Sequence, residues 1–126
     1  MELIERDQLE RLTLPGRIIQ KAVGKDGVIK SERMTVGFAN YSERSGPMEP
    51  HNHAEETVYI LNAINGWIRC GDSRDKLGDK IFLKPGMVIH FPPLEFHVFE
   101  YDKGGYVDIM YCYGQVDNIR PEEIEK

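Results

Sequence analysis

Apolar residues recur along this chain in short runs, and nearly every run stops at a turn-forming pair. The stops are Pro15-Gly16, Gly24 to Gly27, Ser45-Gly46-Pro47, Asn65-Gly66, Gly71-Asp72, Gly78-Asp79, Pro85-Gly86, Pro92-Pro93 and Gly104-Gly105. Short runs at this spacing predict an all-β sandwich or barrel. Strands are expected over roughly 17–23, 28–41, 55–63, 66–70, 80–84, 87–91, 96–101 and 106–113. Asn65-Gly66 suits a tight hairpin turn because both residues tolerate positive φ, and the Gly24 to Gly27 stretch suits another. A short helix or turn is expected near the start, capped by Asp7, with Leu9 and Leu12 on one face. The closing RPEEIEK reads as a solvated turn or short helix. No repeat or linker interrupts the pattern, so residues 1–126 read as one domain.

Alternation assigns faces within the strands. Met87, Ile89 and Phe91 share an apolar face and leave His90 on the other, outside any cluster. His97, Phe99 and Tyr101 share a face. Val107 to Tyr113 is apolar on both faces, which favours a second subunit packed against one of them, as a homodimer. Cys70 and Cys112 lie in expected strands and form no CxxC, so each reads as a reduced, buried small hydrophobe.

Composition narrows the function classes. The net charge is -5 and the pI about 5.4, so no electrostatic pull toward nucleic acid or an anionic membrane surface is expected. The opening MELIERDQLERL lacks a basic stretch followed by an apolar one, and no run is long enough to span a membrane. A cytoplasmic location is the expectation. No phosphate-cradling G-x-x-x-x-G-K-[ST] loop or strand-linked G-x-G-x-x-G occurs.

The chemistry concentrates in the histidines, all of which lie between positions 51 and 97. His51 and His53 form an HxH pair, and alternate residues of a strand point to one side. Neutral imidazoles are good ligands for first-row divalent metals. Glu55 and Glu56 follow, either of which offers a carboxylate and a compensating charge. His97 opens the run HVFEY after a Pro-Pro turn.

Together the segments GPMEPHNHAEETVYIL and PGMVIHFPPLEFH resemble the two motifs of the cupin superfamily. Gly46, His51, His53, Glu56 and Tyr59-Ile60-Leu61 take the places of the first motif, about 46–63. Gly86, Pro92 and His97 take those of the second, about 86–101. The chain departs from the pattern in a two-residue gap between His53 and Glu56, in Ala63 for a terminal glycine, in Leu94 for the glycine after Pro92, and in Tyr101 for a terminal asparagine. Strand parity from the HxH pair favours Glu55 as the carboxylate, whereas the Glu-x-x-Tyr-aliphatic-Leu pattern favours Glu56. A three-histidine site is the other arrangement.

The resemblance implies a cupin-type double-stranded β-helix, a jelly-roll barrel, holding one divalent ion (Fe, Mn, Ni or Zn) through His51, His53, Glu56 and His97. It implies a small-molecule ligand and a metalloenzyme of dioxygenase, isomerase or lyase type acting on a small polar or anionic metabolite. The competing reading is a non-catalytic, ligand-binding or sensory cupin with a structural metal. The pocket is expected to draw on Met34, Val36, Phe38, Val58, Phe99 and Met110, with Tyr101 as a hydroxyl donor near substrate. Arg33 and Arg69 are the nearest strand arginines for an anion.

Overall fold

The computed structural model of the chain describes residues 1–120, so the expectation for the tail falls largely outside the described residues. A 3₁₀ turn, Arg6–Gln8, precedes the strands β1 (Leu12–Leu14), β2 (Arg17–Gly24), β3 (Ile29–Lys30), β4 (Thr35–Ser42), β5 (Glu56–Gly71), β6 (Ile81–Phe82), β7 (Val88–Phe91) and β8 (Phe96–Tyr113). Asp7 lies inside the turn and does not cap it. The cap residue is Glu5, whose N–H donates to Gln8 Oε1 at 3.0 Å. Leu9 is buried, but Leu12 opens β1 and shares no helical face with it. Among the described residues, no helix is long and apolar enough to cross a membrane.

Three strand boundaries differ from the sequence reading, each for a local reason. The expected strand 28–41 breaks because the Ser31 hydroxyl accepts the N–H groups of Arg33 and Met34, at 3.2 and 3.3 Å, and turns the chain. Asn65-Gly66 is not a hairpin. It is a slip in the register of a continuous β5, with Asn65 at φ 48°. Glycine is needed at 66 because β8 passes so close: a Cβ there would lie 2.5 Å from Val107 Cγ2. Gly104-Gly105 likewise sits within a continuous β8. Turn-forming residues serve bulges as well as hairpins, and here they bend a paired ribbon.

β5 and β8 pair antiparallel from Glu56↔Tyr113 to Gly71↔Phe96. The full ladder runs β1-β2-β4-β8-β5-β6, with β7 beside the first half of β5 and β3 beside β2. It does not close on itself. Inward residues from both halves of the bent ribbon, Val58, Ile60, Val107 and Ile109 from one and Ile68 and Phe99 from the other, join one core with Phe91 and Leu83. Burial of each such side chain contributes about 1.5–3 kcal/mol. Alternating burial along Glu56–Ile60 shows one face turned in and one out.

The N-terminal turn covers part of the outer face. Arg6 makes a two-pronged bond to Asp108, at 2.7 and 2.8 Å, and its guanidinium lies 4.5 Å from the centre of the Phe38 ring.

Candidate metal centre

Two backbone bonds set the geometry of the centre. His51 N–H donates to His97 O at 3.1 Å, and His97 N–H donates to His51 O at 2.9 Å. Residues that exchange both bonds across an antiparallel pair put their side chains on the same face. His53, two residues on, joins them. Ring centroids are 4.6 Å apart for His51–His97 and His53–His97, and 5.3 Å for His51–His53. One ring nitrogen from each lies within 4.8 Å of the other two.

The loop after β7 holds the HxH segment in place. Leu94 N–H donates to His53 O at 2.9 Å, and Asn52 Nδ2 donates to Leu94 O at 3.2 Å. Leu94 sits at φ 68°, in the left-handed region that costs a non-glycine residue about 1–2 kcal/mol. Those bonds tie the strained turn to the histidine pair.

Each histidine also has its tautomer fixed. His51 Nδ1 lies 3.0 Å from Glu49 O, His53 Nδ1 2.7 Å from Ala54 O, and His97 Nδ1 3.1 Å from Glu95 O. A carbonyl can only accept, so each Nδ1 carries a proton, and the ring in its neutral form offers Nε2 as a lone pair. This is the usual way a protein orients imidazole ligands. Burial, reinforced by the neighbouring His51 and His53, pushes the His97 imidazolium down to about 2, which keeps that ring neutral. Its ring also stacks on Phe91, centroids 3.9 Å apart at 14°.

Glu56 is buried, with Oε1 3.3 Å from His53 Nε2, and lies opposite Tyr113 across β5 and β8. With His53 Nδ1 protonated, both facing atoms are electron-pair donors, an arrangement that suits a shared cation. Glu55 points away and pairs with His90 at 2.7 Å, both side chains exposed. The three imidazoles are placed to hold a first-row divalent ion, with the Glu56 carboxylate beside His53.

The histidines form one wall of a cavity of about 270 Å³. Tyr41, Tyr111 and Tyr113 also line it, the Tyr113 ring 5.4 Å from that of His53, with Ile19, Ala39, Pro47, Met48, Arg17 and Arg120. Burial raises all three phenols above their ordinary range, assisted by the Glu56 charge, so they remain protonated hydrogen-bond donors. A Cβ at Gly37 would overlap the Tyr111 hydroxyl, so the glycine makes room for that ring across β4.

No family model and no curated protein sequence matches the chain. Solved structures do match it. A protein from Planctomyces limnophilus superposes with a TM-score of 0.71 at 19% identity, covering 98% of this chain and 94% of that one. The polyketide cyclase RemF from Streptomyces resistomycificus gives 0.70 at 18% identity, covering 95% and 84%. The oxalate decarboxylase of Lactobacillus farciminis, in a formate complex, gives 0.65 at 13% identity over 90% of this chain and 33% of its own. The fold is that of a cupin.

Within this fold several residues expected at the pocket lie elsewhere. Met34 sits in the turn before β4 and is 49% exposed. Val36, Phe38 and Met110 lie on the outer face, with Phe38 opposite Met110 in register. Val58 and Phe99 belong to the core and do not line the histidine cavity. Tyr101 donates its hydroxyl to Gly46 O at 3.1 Å and lines a separate depression with Trp67 and Arg69. Arg33 is exposed in a turn, and Arg69 donates to Gly78 O. Among the described residues, the arginines at the cavity are Arg17 and Arg120, which the sequence reading did not single out. Cys70 is half-buried, and burial beside Glu95 pushes its thiol up to about 11, away from reactivity.

Proposed function

We propose that this chain is a mononuclear divalent-metal enzyme acting on a small polar or anionic metabolite, with His51, His53, His97 and Glu56 as the metal ligands. The observation that carries the reading is the set of three Nδ1-to-carbonyl bonds, which turn three neutral imidazoles toward one point beside a buried carboxylate. Such a set is compatible with Fe(II), Mn(II), Ni(II) or Zn(II). A divalent ion held there supplies charge to polarise a carboxylate, enolate or diol and lowers the pKa of bound water. The protein's own share is positional. The phenols of Tyr41, Tyr111 and Tyr113 donate hydrogen bonds into the cavity, and the apolar wall limits water. Support for a metal-dependent reaction also comes from fold neighbours, among them an iron(II) form of HppE and the oxalate decarboxylase. The reaction belongs to the dioxygenase, isomerase or lyase group.

Purified protein is expected to carry about one divalent ion per chain by elemental analysis. At free metal about 1,000-fold above Kd, binding adds about 4 kcal/mol of stability. Chelation is then expected to lower Tm by on the order of 10 °C, with recovery on adding metal back. Protein that holds no ion and melts identically with and without chelator would sink the reading. Oxygen uptake with Fe(II) and a panel of small diketones, catechols and thiols separates the oxygenase branch from the rest.

The expected homodimer is also a proposal. Tyr59 and Val88 pair across β5 and β7 and are 41% and 66% exposed, a pair that a second copy of the chain would cover. Light scattering is expected to give twice the chain mass, and a single-chain mass removes the dimer.

A further inference from the structure

The metal cavity and the depression beside Tyr101 share a wall. Pro47 and Met48 line both, and among the described residues they alone do so. The histidine side measures about 270 Å³ and the Trp67 side about 550 Å³. β8 runs past both: His97 lines the first, and Phe99 and Tyr101 line the second. Met48 Sδ lies against this strand and accepts the N–H of Phe99 at 3.4 Å. The backbone around it is pinned on either side. Gly16 N–H donates to Ser45 O at 2.9 Å, the Tyr101 hydroxyl donates to Gly46 O at 3.1 Å, and His51 N–H donates to His97 O. A Cβ at Gly16 would lie 3.0 Å from Met48 Cα, so the β1–β2 turn backs the segment closely.

We propose that Met48 fixes the length of ligand that the metal site accepts, by closing its cavity against the depression that holds Trp67.

The inference rests on the metal reading above and adds a specificity-determining residue to that site. Of the two shared residues, proline is a rigid ring, whereas methionine has three rotatable side-chain bonds and adapts its shape. A thioether is a weak hydrogen-bond acceptor, so it holds the Phe99 N–H less firmly than a carbonyl would. The Met48 side chain is therefore the movable part of a fixed wall. It is partly buried and packs against the core, which keeps it in place while the cavity is empty. With the thioether there, the metal cavity takes a ligand of roughly nine non-hydrogen atoms, at about 30 Å³ per water volume. Without it, the cavity continues past Phe99 and Tyr101 toward Trp67. Those three rings suit an unbranched apolar tail, since aromatic side chains offer large apolar surfaces.

Alkyl hydroxamates serve as the probe, because their paired oxygens chelate a divalent ion and their tails can be lengthened stepwise. Calorimetry on zinc-loaded protein compares aceto-, butyro-, hexano- and octanohydroxamate. Wild type is expected to gain affinity up to hexanohydroxamate, which matches the cavity at roughly nine non-hydrogen atoms, and nothing further from octanohydroxamate. Met48→Ala is expected to gain about tenfold from that last lengthening, as the added methylenes become buried. Met48→Leu, which keeps the bulk, is expected to show the wild-type profile. Trp67, the sole tryptophan of the chain, reports from the depression. Octanohydroxamate is expected to shift its emission in Met48→Ala and to leave it unchanged in wild type. If wild type gains from octanohydroxamate and its Trp67 emission shifts, or if Met48→Ala keeps the wild-type profile, the proposal is overturned. Should Met48→Ala fail to fold, Met48→Val takes its place, and the wild-type profile by itself still has the power to refute. Protein that takes up zinc but shows no length limit ends the role of Met48 and leaves the metal reading standing. Protein that takes up no zinc ends the metal reading, and the limit is then read with straight-chain alcohols from butanol to octanol, which need no ion.

Discussion

Replacing His97 with alanine is expected to lower metal affinity by more than the roughly 10- to 100-fold that follows loss of an outer-sphere partner. His97 is the proposed ligand from the second stretch, and its ring, which burial keeps neutral, sits 4.6 Å, centroid to centroid, from both other imidazoles. The ring is also 1% exposed and stacked on Phe91, so its removal leaves a cavity. That packing loss is worth about 3 kcal/mol and acts on the metal-free protein too. The two effects separate when melting is measured with and without chelator: the packing loss appears in both conditions, the ligand loss only in the metal-loaded one. His90→Ala is the control, since His90 is exposed and bonded to Glu55. Elemental analysis showing equal metal in His97→Ala and wild type removes His97 from the centre.

The second large effect is expected from Glu56→Gln set against Glu55→Gln. Glu56 is 4% exposed and faces His53 Nε2 at 3.3 Å, whereas Glu55 is exposed on the His90 pair. Unit charges 4 Å apart attract by about 4 kcal/mol at an effective dielectric constant of 20, an illustrative bound. An amide oxygen recovers part of that, so a loss of about 10- to 100-fold in metal affinity is expected for Glu56→Gln. Glu55→Gln removes an exposed pair worth at most about 1 kcal/mol and is expected to leave metal binding unchanged. Without metal the sign turns: a buried carboxylate is costly to desolvate, so chelated Glu56→Gln is expected to melt no lower than chelated wild type. Calorimetric metal titration of both variants checks this. Equal, small effects point to a three-histidine centre.

The sequence reading of fold and centre rested on local spacing. HxH alternation and the Gly-Pro-His spacing of the second stretch are short-range features, and short-range features survive translation into structure. The reading took Glu56 over Glu55 because the resemblance implies a turn between His53 and the strand that breaks parity, and it is Glu56 that lies beside His53 while Glu55 pairs with His90. The cavity lining failed for a related reason. β4 and β8 are apolar on both faces, and the larger residues Phe38 and Met110 drew attention to the wrong one. A signal was present: Asn40 shares parity with Val36 and Phe38, and Asp108 shares parity with Met110. Polar residues on that face mark it as outward, where Arg6 and Asp108 meet. Tyr111 and Tyr113 share the odd parity of His97 and line the same cavity, so that part of the lining was legible along β8 and was missed. Arg17 and Arg120 were invisible for a different reason: Arg17 opens β2 and Arg120 lies beyond the end of β8, where only tertiary folding decides what each faces.

The pairing of β5 with β8 continues through both layers of the fold, past its bulges and without a break in the chain. The layers therefore share one backbone seam, and neither can be peeled off while the other stays intact. A ligand held in the histidine cavity touches both halves of this ribbon, His97 in one and Tyr111 and Tyr113 in the other, so amide protons in both halves are expected to slow their exchange together.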